Sequence, residues 1–297
     1  MRIPESELIL NPDGSVFHLH LRPEELADRV ILVGDPGRVE MVTSFFDKVE
    51  FSRGSREFVS STGWYRSKRV TVLSTGIGAG NIDIAMTELD ALANVDFSTR
   101  EVRERPRVLD ILRIGTSGAI QPDIPLGAFV FSEISIGFDG LMNWYEGKEK
   151  VVLADFEKAY KEHSGWVPGQ PTPYFVKAGD AMAARFAPEA LADSPYKNKV
   201  FFGMTVSAAG FYGPQGRRIR VRPSMPDAVG DWERFSFEGH RITNIEMESS
   251  SLAGLAALLG HNAGTICCII AHRYNKNAIP DYKARVRELV SFALERL

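Results

Sequence analysis

The feature that most constrains the fold is an alternation, with no internal sequence repeat: a Val/Ile-rich run, then a glycine-rich turn, then a segment of helical period. "RVILVGD" (29–35) gives way to "VEMVTSFF" (39–46), and "RVTVLSTGIGAG" (69–80) to "IDIAMTELDAL" (82–92). "RVLDILRIGTSGA" (107–119) repeats the run and the turn. "GAFVFSEISIG" (127–137), "KVFFGMTVSAAGF" (199–211) and "AGTICCIIAHR" (263–273) add further runs of β type. Strands alternating with helices predict an α/β sheet with helices on both faces. In such sheets ligands sit at the carboxyl ends of the strands. Those ends here carry "GDPGR", "STGIGAG", "RIGTSG" and "EMES". The C-terminal "DYKARVRELVSFALERL" reads as an amphipathic helix, with Val286, Leu289, Val290, Ala293 and Leu297 on one face. At 297 residues the chain is within reach of one large domain, and no linker marks a second. The stretch 139–175, rich in tryptophan, proline and mixed charge, reads as an insertion or flap.

Composition narrows the partners. Apolar residues make up 44% and charged residues 25%, with a net charge of -3, which fits a soluble globular protein. That balance gives no reason to expect nucleic acid or an anionic membrane surface. No run approaches the roughly 18 apolar residues of a membrane span. "MRIPESELILNPDGS" places acids and a proline where a signal peptide has its apolar run. The two cysteines, Cys267 and Cys268, are adjacent in an apolar run and read as buried thiols. Together these predict a cytoplasmic protein.

Each turn carries chemistry. In "GDPGR", Gly34 and Gly37 let the backbone approach a ligand, N–H groups before a helix form an anion nest, and Arg38 adds a forked cation. An ordinary strand-to-helix turn with a surface arginine would look the same. In "RIGTSG", Arg113 lies inside an apolar strand, where a guanidinium is costly without an anion. Thr116 and Ser117 add hydroxyls, and Gly115 and Gly118 expose N–H groups. The reading favoured is a second anion site; the alternative is an ion pair between Arg113 and a nearby carboxylate. "STGIGAG" resembles a dinucleotide fingerprint only superficially, since no acid follows at suitable spacing, and it equally fits a tight turn under a helix. In "FYGPQGRR", Phe211 can stack on a flat ring, Gln215 offers a donor and an acceptor, and Arg217 offers donors. Together they suit the edge of a heterocycle with carbonyls and an N–H. Arg218, Arg220 and Arg222 read as a solvated basic tail.

"TNIEMESSS" (243–251) puts Glu246 and Glu248 on either side of Met247, where a strand runs into the helix "LAGLAALLGH". A carboxylate can accept both hydroxyls of a ribose diol. Acids at a helix start also suit its dipole, and a paired-carboxylate glycosidase remains a third reading. His18 and His20 alternate in "SVFHLHL", with His20 read as structural. No His, Cys and Asp cluster has metal-ligand spacing.

Taken together, "VGDPGRVE", "STGIGAG", "LRIGTSGAIQPDIPLGAFV", "FYGPQGR" and "IEMESSSL", in that order and spacing, identify the chain as resembling the nucleoside phosphorylase I family. The third and fourth resemble its pyrimidine branch most. The purine branch usually carries an aspartate after the last strand, where this chain reads "AHRYNKN", with His272 and Arg273. The resemblance implies a central mixed β-sheet partly closed into a barrel and flanked by helices. It implies reversible phosphorolysis of uridine to uracil and ribose 1-phosphate, with deoxyuridine as a further candidate substrate. Inorganic phosphate is the co-substrate and no cofactor is implied. Gly34, Arg38, Arg113 and Thr116 would hold phosphate, with Arg56 from the neighbouring subunit. Met247 and Glu248, with Glu246 beside them, would hold the ribose, and His18 would meet its 5′-hydroxyl. Phe211, Gln215 and Arg217 would bind the base, lined by Ile270, Ala271 and a neighbour's Phe17, with Arg273 steadying the loop. Arg113, Gln215, Arg217 and Glu248 would carry the catalysis. Because Phe17, His18 and Arg56 are donated across an interface, a homodimer is the minimal active unit, and a hexamer is compatible with it. Glu57 is the candidate for a monovalent cation at that interface. The alternatives are a purine nucleoside phosphorylase, a nucleosidase using water, and a non-catalytic nucleoside-binding protein.

Overall fold

The structure is a computed structural model and describes residues 2–297. In chain order its strands are β1 (Arg29–Val33), β2 (Lys48–Ser55), β3 (Phe58–Tyr65), β4 (Lys68–Ser74), β5 (Val95–Asp96), β6 (Glu101–Val102) and β7 (Asp110–Ala119). They continue with β8 (Phe129–Gly137), β9 (Tyr174–Lys177), β10 (Val200–Ser207), β11 (Ser236–Phe237), β12 (His240–Glu246), β13 (Asn262–His272) and β14 (Asn277–Ala278). The α-helices are α1 (Gly37–Thr43), α2 (Ala79–Asn94), α3 (Ala154–Ser164), α4 (Asp180–Phe186), α5 (Ala228–Arg234), α6 (Ser249–Leu259) and α7 (Lys283–Arg296).

One sheet runs in the order β11-β12-β10-β8-β13-β7-β1-β4-β3-β2, and β12 also pairs with β7. That pairing closes β7, β13, β8, β10 and β12 into a five-stranded mixed barrel, as the resemblance implied. β1, β4, β3 and β2 extend from β7 as an open wing, β11, β9 and β14 pair onto β12, β8 and β13, and β5 and β6 form a separate two-stranded sheet. β13, β7, β1 and β4 are parallel, so their carboxyl ends share one rim. β12 arrives antiparallel to β7, with Asn244 opposite Ala119 and Ile245 opposite Gly118. Its carboxyl end therefore meets that of β7 head to head, which brings Glu246 to the same rim.

The apolar runs are continuous because both faces of these strands are covered. Ile31, Val33, Leu112 and Ile114 pack into a cluster with Val286, Leu289 and Val290 of α7. Their neighbours Val30, Leu32 and Ile111 face the opposite way, against Ile82 and Leu89 of α2 and Leu252 and Leu255 of α6. Alternate residues of one strand thus serve two cores, which follows from the two-residue period of a strand. Helix α6 is covered on all sides at its start: its first eight residues, Ser249 to Ala256, are buried, and those after the three serines are apolar or glycine. Cys267 and Cys268 are buried free thiols, and burial pushes Cys267 up to about 12.

The stretch 139–175 leaves β8 through two short 3-10 turns, enters α3 and returns as β9 antiparallel to β8. Phe156 and Tyr160 of α3 are buried. The Tyr160 hydroxyl accepts the Trp232 indole N–H at 2.9 Å, and its ring meets Phe235 edge-on at 5.1 Å. Among the described residues, no helix is long and apolar enough to cross a membrane.

Candidate active site

The turns at the shared rim surround a cavity of about 570 Å³. The turn after β1 contributes Gly34, Asp35, Pro36 and Arg38, and the turn after β4 contributes Gly76 and Ile77. β7 supplies Arg113, Thr116, Ser117 and Gly118. The β12–α6 junction supplies Ile245, Glu246, Met247 and Glu248. Phe211, Gln215 and Arg217 come from the loop after β10, and Ile270 and Ala271 from the end of β13. The last two are consecutive yet share the cavity because β13 bulges between Ile269 and Ala271.

At the centre lies a buried charge cluster. Arg113 Nη1 is 3.0 Å from Glu246 Oε2, and Nη2 donates to Glu248 Oε2. All three side chains are nearly inaccessible to solvent. The structure thus shows the ion pair that was the alternative reading of Arg113, not an unpaired cation. Gly115 makes room for it: a Cβ there would lie 2.5 Å from Arg113 Nη1 and 2.8 Å from Cys267 Sγ.

The two acids are held differently. Glu246 accepts the N–H of Glu248 at 2.9 Å, the N–H of Ser249 at 3.0 Å and the Ser249 hydroxyl at 2.7 Å. It therefore caps the start of α6, satisfying N–H groups that a helix leaves unpaired. Glu248 accepts only the Gly78 N–H, at 2.6 Å, besides its contact with Arg113. Burial raises the Glu248 pKa above its ordinary value, Arg113 opposes that shift and Glu246 adds to it. Burial would lower Arg113, but Glu248 and Glu246 outweigh it and hold the guanidinium firmly protonated. One cation between two carboxylates leaves an excess negative charge, which adds to the rise that burial causes in Glu248.

The turn after β1 is closed by Asp35 Oδ1, which accepts the Gly37 N–H at 2.9 Å. Half-buried Arg38 forms no ion pair among the described residues, so its charge is available to an anion. On the opposite wall, the Arg217 guanidinium lies 3.8 Å from the Phe211 ring centroid and donates to the Phe211 carbonyl at 2.7 Å. It also donates to Gln215 Oε1, which leaves the Gln215 amide N–H group as the donor of that buried side chain. Arg273 Nη2 donates to the Gln215 carbonyl at 2.8 Å from behind. Burial, then repulsion from Arg273, brings Arg217 down to about 10, still a cation at neutral pH.

Of the sixteen site residues that the resemblance implied, twelve line this cavity: Gly34, Arg38, Arg113, Thr116, Phe211, Gln215, Arg217, Glu246, Met247, Glu248, Ile270 and Ala271. Phe17, His18, Arg56 and Arg273 do not. His18 Nδ1 is 2.6 Å from Glu88 Oε1, and Glu88 also accepts the N–H groups of His18 and Leu19. Arg56 is exposed in the β2–β3 turn at φ 54°. Glu57 beside it accepts the Asn81 amide at 3.1 Å. The sequence reading put "STGIGAG" at a ligand-facing strand end but gave Gly76 and Ile77 no role, and it did not foresee the bond from Gly78 to Glu248. The two positive-φ glycines were a local signal of an unusual turn. Nothing local pointed to a carboxylate 170 residues away.

Residues 28–294 match the model of the phosphorylase superfamily. The chain is 30% identical over 266 residues to the uridine phosphorylase of Escherichia coli strain K12, covering 88% of this chain and 87% of that protein. It is 28% identical over 267 residues to the uridine phosphorylase of Thermococcus kodakarensis, covering 88% and 79%. A solved nucleoside phosphorylase of Trypanosoma brucei, described as showing uridine phosphorylase activity, superposes with a TM-score of 0.86 at 28% identity, covering 98% of this chain and 99% of that one. With a rim of strand ends around one cavity and a family match over nearly its whole length, the chain belongs to the phosphorylase superfamily. Within it, the chain is an enzyme of the pentosyltransferase class, a nucleoside phosphorylase in kind.

Proposed function

We propose that the enzyme catalyses the reversible phosphorolysis of uridine to uracil and ribose 1-phosphate. The observation that carries this reading is the wall formed by Gln215 and Arg217. A uracil edge offers two carbonyls and an N–H, and this wall offers amide and guanidinium donors on a loop backed by Arg273. The carboxylates among the described lining residues are Asp35, Glu246 and Glu248, none on that loop, so no acid stands there to protonate a purine ring.

Phosphate is held by Arg38, the turn at Gly34 and Thr116, and a neighbouring subunit adds Arg56. Glu248 accepts the ribose hydroxyls, with Met247 against the sugar. Arg113 keeps Glu248 ionised and aimed, and Glu246 fixes the helix start from which Glu248 projects. The glycosidic bond breaks as positive charge grows on the sugar and negative charge on the base. Glu248 and phosphate stabilise the first, and Gln215 and Arg217 the second. Phosphate then captures the sugar, and holding both substrates together supplies much of the remaining acceleration. His18 from the neighbour, fixed by Glu88, meets the 5′-hydroxyl.

One observation favours a second reading in which water replaces phosphate: Arg113 is already neutralised by two carboxylates. Uridine cleavage followed by ultraviolet absorbance, with and without phosphate and with inosine in parallel, separates the readings. Phosphate-dependent release of uracil alone is expected. Inosine cleavage would move the assignment to purines, and phosphate-independent cleavage would make the enzyme a nucleosidase.

A further inference from the structure

Helix α6 is gripped at its first turn from a side away from the cavity-lining residues. The Asp139 carboxylate accepts the Ser250 hydroxyl at 2.9 Å and the Tyr174 hydroxyl at 2.9 Å, and Oδ1 also accepts the Leu141 N–H at 2.8 Å. Tyr174 and Ser250 hydroxyls are 3.1 Å apart, and both residues are buried. The Tyr174 ring occupies a slot that exists because residue 137 is glycine: a Cβ there would lie 2.1 Å from the ring. One turn further along α6, buried Met142 packs into the notch at Gly254, where a Cβ would meet its sulfur at 2.5 Å. None of these residues lines the cavity.

The stretch 139–174 therefore does more than connect β8 to β9. Its two ends clasp the first two turns of α6, one through a carboxylate and one through a phenol, while Glu246 grips Ser249 from the cavity side. Glu248 is the residue just before α6, directly ahead of the two gripped serines, Ser249 and Ser250. We infer that Asp139, with Tyr174, is a positioning residue for Glu248: it fixes the start of α6, and so sets where the ribose-accepting carboxylate projects. This inference rests on the phosphorolysis reading above. It predicts a selective effect, because the phosphate turn at Gly34 and Arg38 belongs to β1 and α1, which the clasp does not touch.

The test is steady-state kinetics of Asp139→Ala, Asp139→Asn and Tyr174→Phe, each with its Tm. Tyr174→Phe removes only a hydroxyl and leaves the ring in its slot, so it folds even if Asp139→Ala does not. Loss of the carboxylate should raise the nucleoside KM about tenfold while the phosphate KM stays within about twofold, as expected for one buried charged hydrogen bond acting on one substrate. Asp139→Asn should recover part of that loss, and Tyr174→Phe should show a smaller rise of the same kind. An unchanged nucleoside KM with a lowered Tm, or equal rises in both KM values, would overturn the inference and leave Asp139 a purely structural residue. A wild-type enzyme that cleaves no nucleoside would overturn the functional reading, and this inference with it.

Discussion

Two acids one residue apart do different work because their hydrogen-bond partners differ. Both share Arg113, but Glu246 also gives both oxygens to the start of α6, while Glu248 has only the Gly78 N–H besides. Glu248→Gln should lower kcat/KM for nucleoside by roughly 10²–10³-fold, the scale of losing one transition-state charge contact. The same change should raise Tm at pH 7. A carboxyl whose folded pKa is raised stabilises the fold below its ordinary value near 4.5, and loses that stabilisation as pH rises through the folded value. The variant has no such loss, so its gain should be present at pH 7 and vanish as pH falls toward 4.5. Thermal denaturation across that range checks the sign; a variant less stable than wild type at pH 7 would mean that the pair with Arg113 outweighs the excess charge.

At the scale of elements, the turn after β4 shows how a glycine pattern with a weak local signal becomes part of a site. Gly78 is the N-cap of α2 at φ 94°, and its N–H reaches Glu248. A Cβ there meets nothing within 4 Å, so Gly78→Ala tests backbone conformation alone. At ψ 168° this extended positive-φ conformation is open essentially to glycine alone and costs another residue roughly 1–3 kcal/mol, so Tm should fall by a few degrees. If the turn relaxes to relieve that strain, the bond to Glu248 lengthens and the nucleoside KM should rise with little change in the phosphate KM. A lowered Tm with unchanged kinetics would show the turn to be structural only. The strands β1, β4, β7, β8, β10 and β13 were legible because both faces are buried along most of their length and their residues are mostly apolar. β2 and β3 were not, because "KVEFSRGS" and "FVSSTGWY" mix polar and apolar residues on a partly exposed wing. β12 was visible only as an approach to "EMES", and its closure onto β7 has no local marker.

For the whole molecule, Phe17, His18 and Arg56 remain outside the cavity of their own chain, which is the arrangement that donation to a neighbour requires. A hybrid of Glu248→Gln and Arg56→Ala chains tests this. In such a dimer one site carries both changes and the other carries neither. Mixing the two nearly inactive variants under statistical subunit exchange makes half of the dimers hybrids, each with one intact site, and should therefore restore activity toward about a quarter of that of wild type. No recovery, with exchange demonstrated, would place Arg56 in its own chain's chemistry or in none.

The sequence by itself determined the α/β class, the strand ends that carry the site and most of the residues gathered there. Burial on two faces writes unbroken apolar runs, and close backbone approach writes glycine, and both are local demands. Only the tertiary structure decided what those residues do to one another. Arg113 looked like a free cation until barrel closure set Glu246 and Glu248 against it, and a residue's charge state depends on neighbours that the chain brings from far away. The grip of Asp139 on α6 was equally hidden, because it joins side chains 111 residues apart whose only common property is the place where the fold puts them.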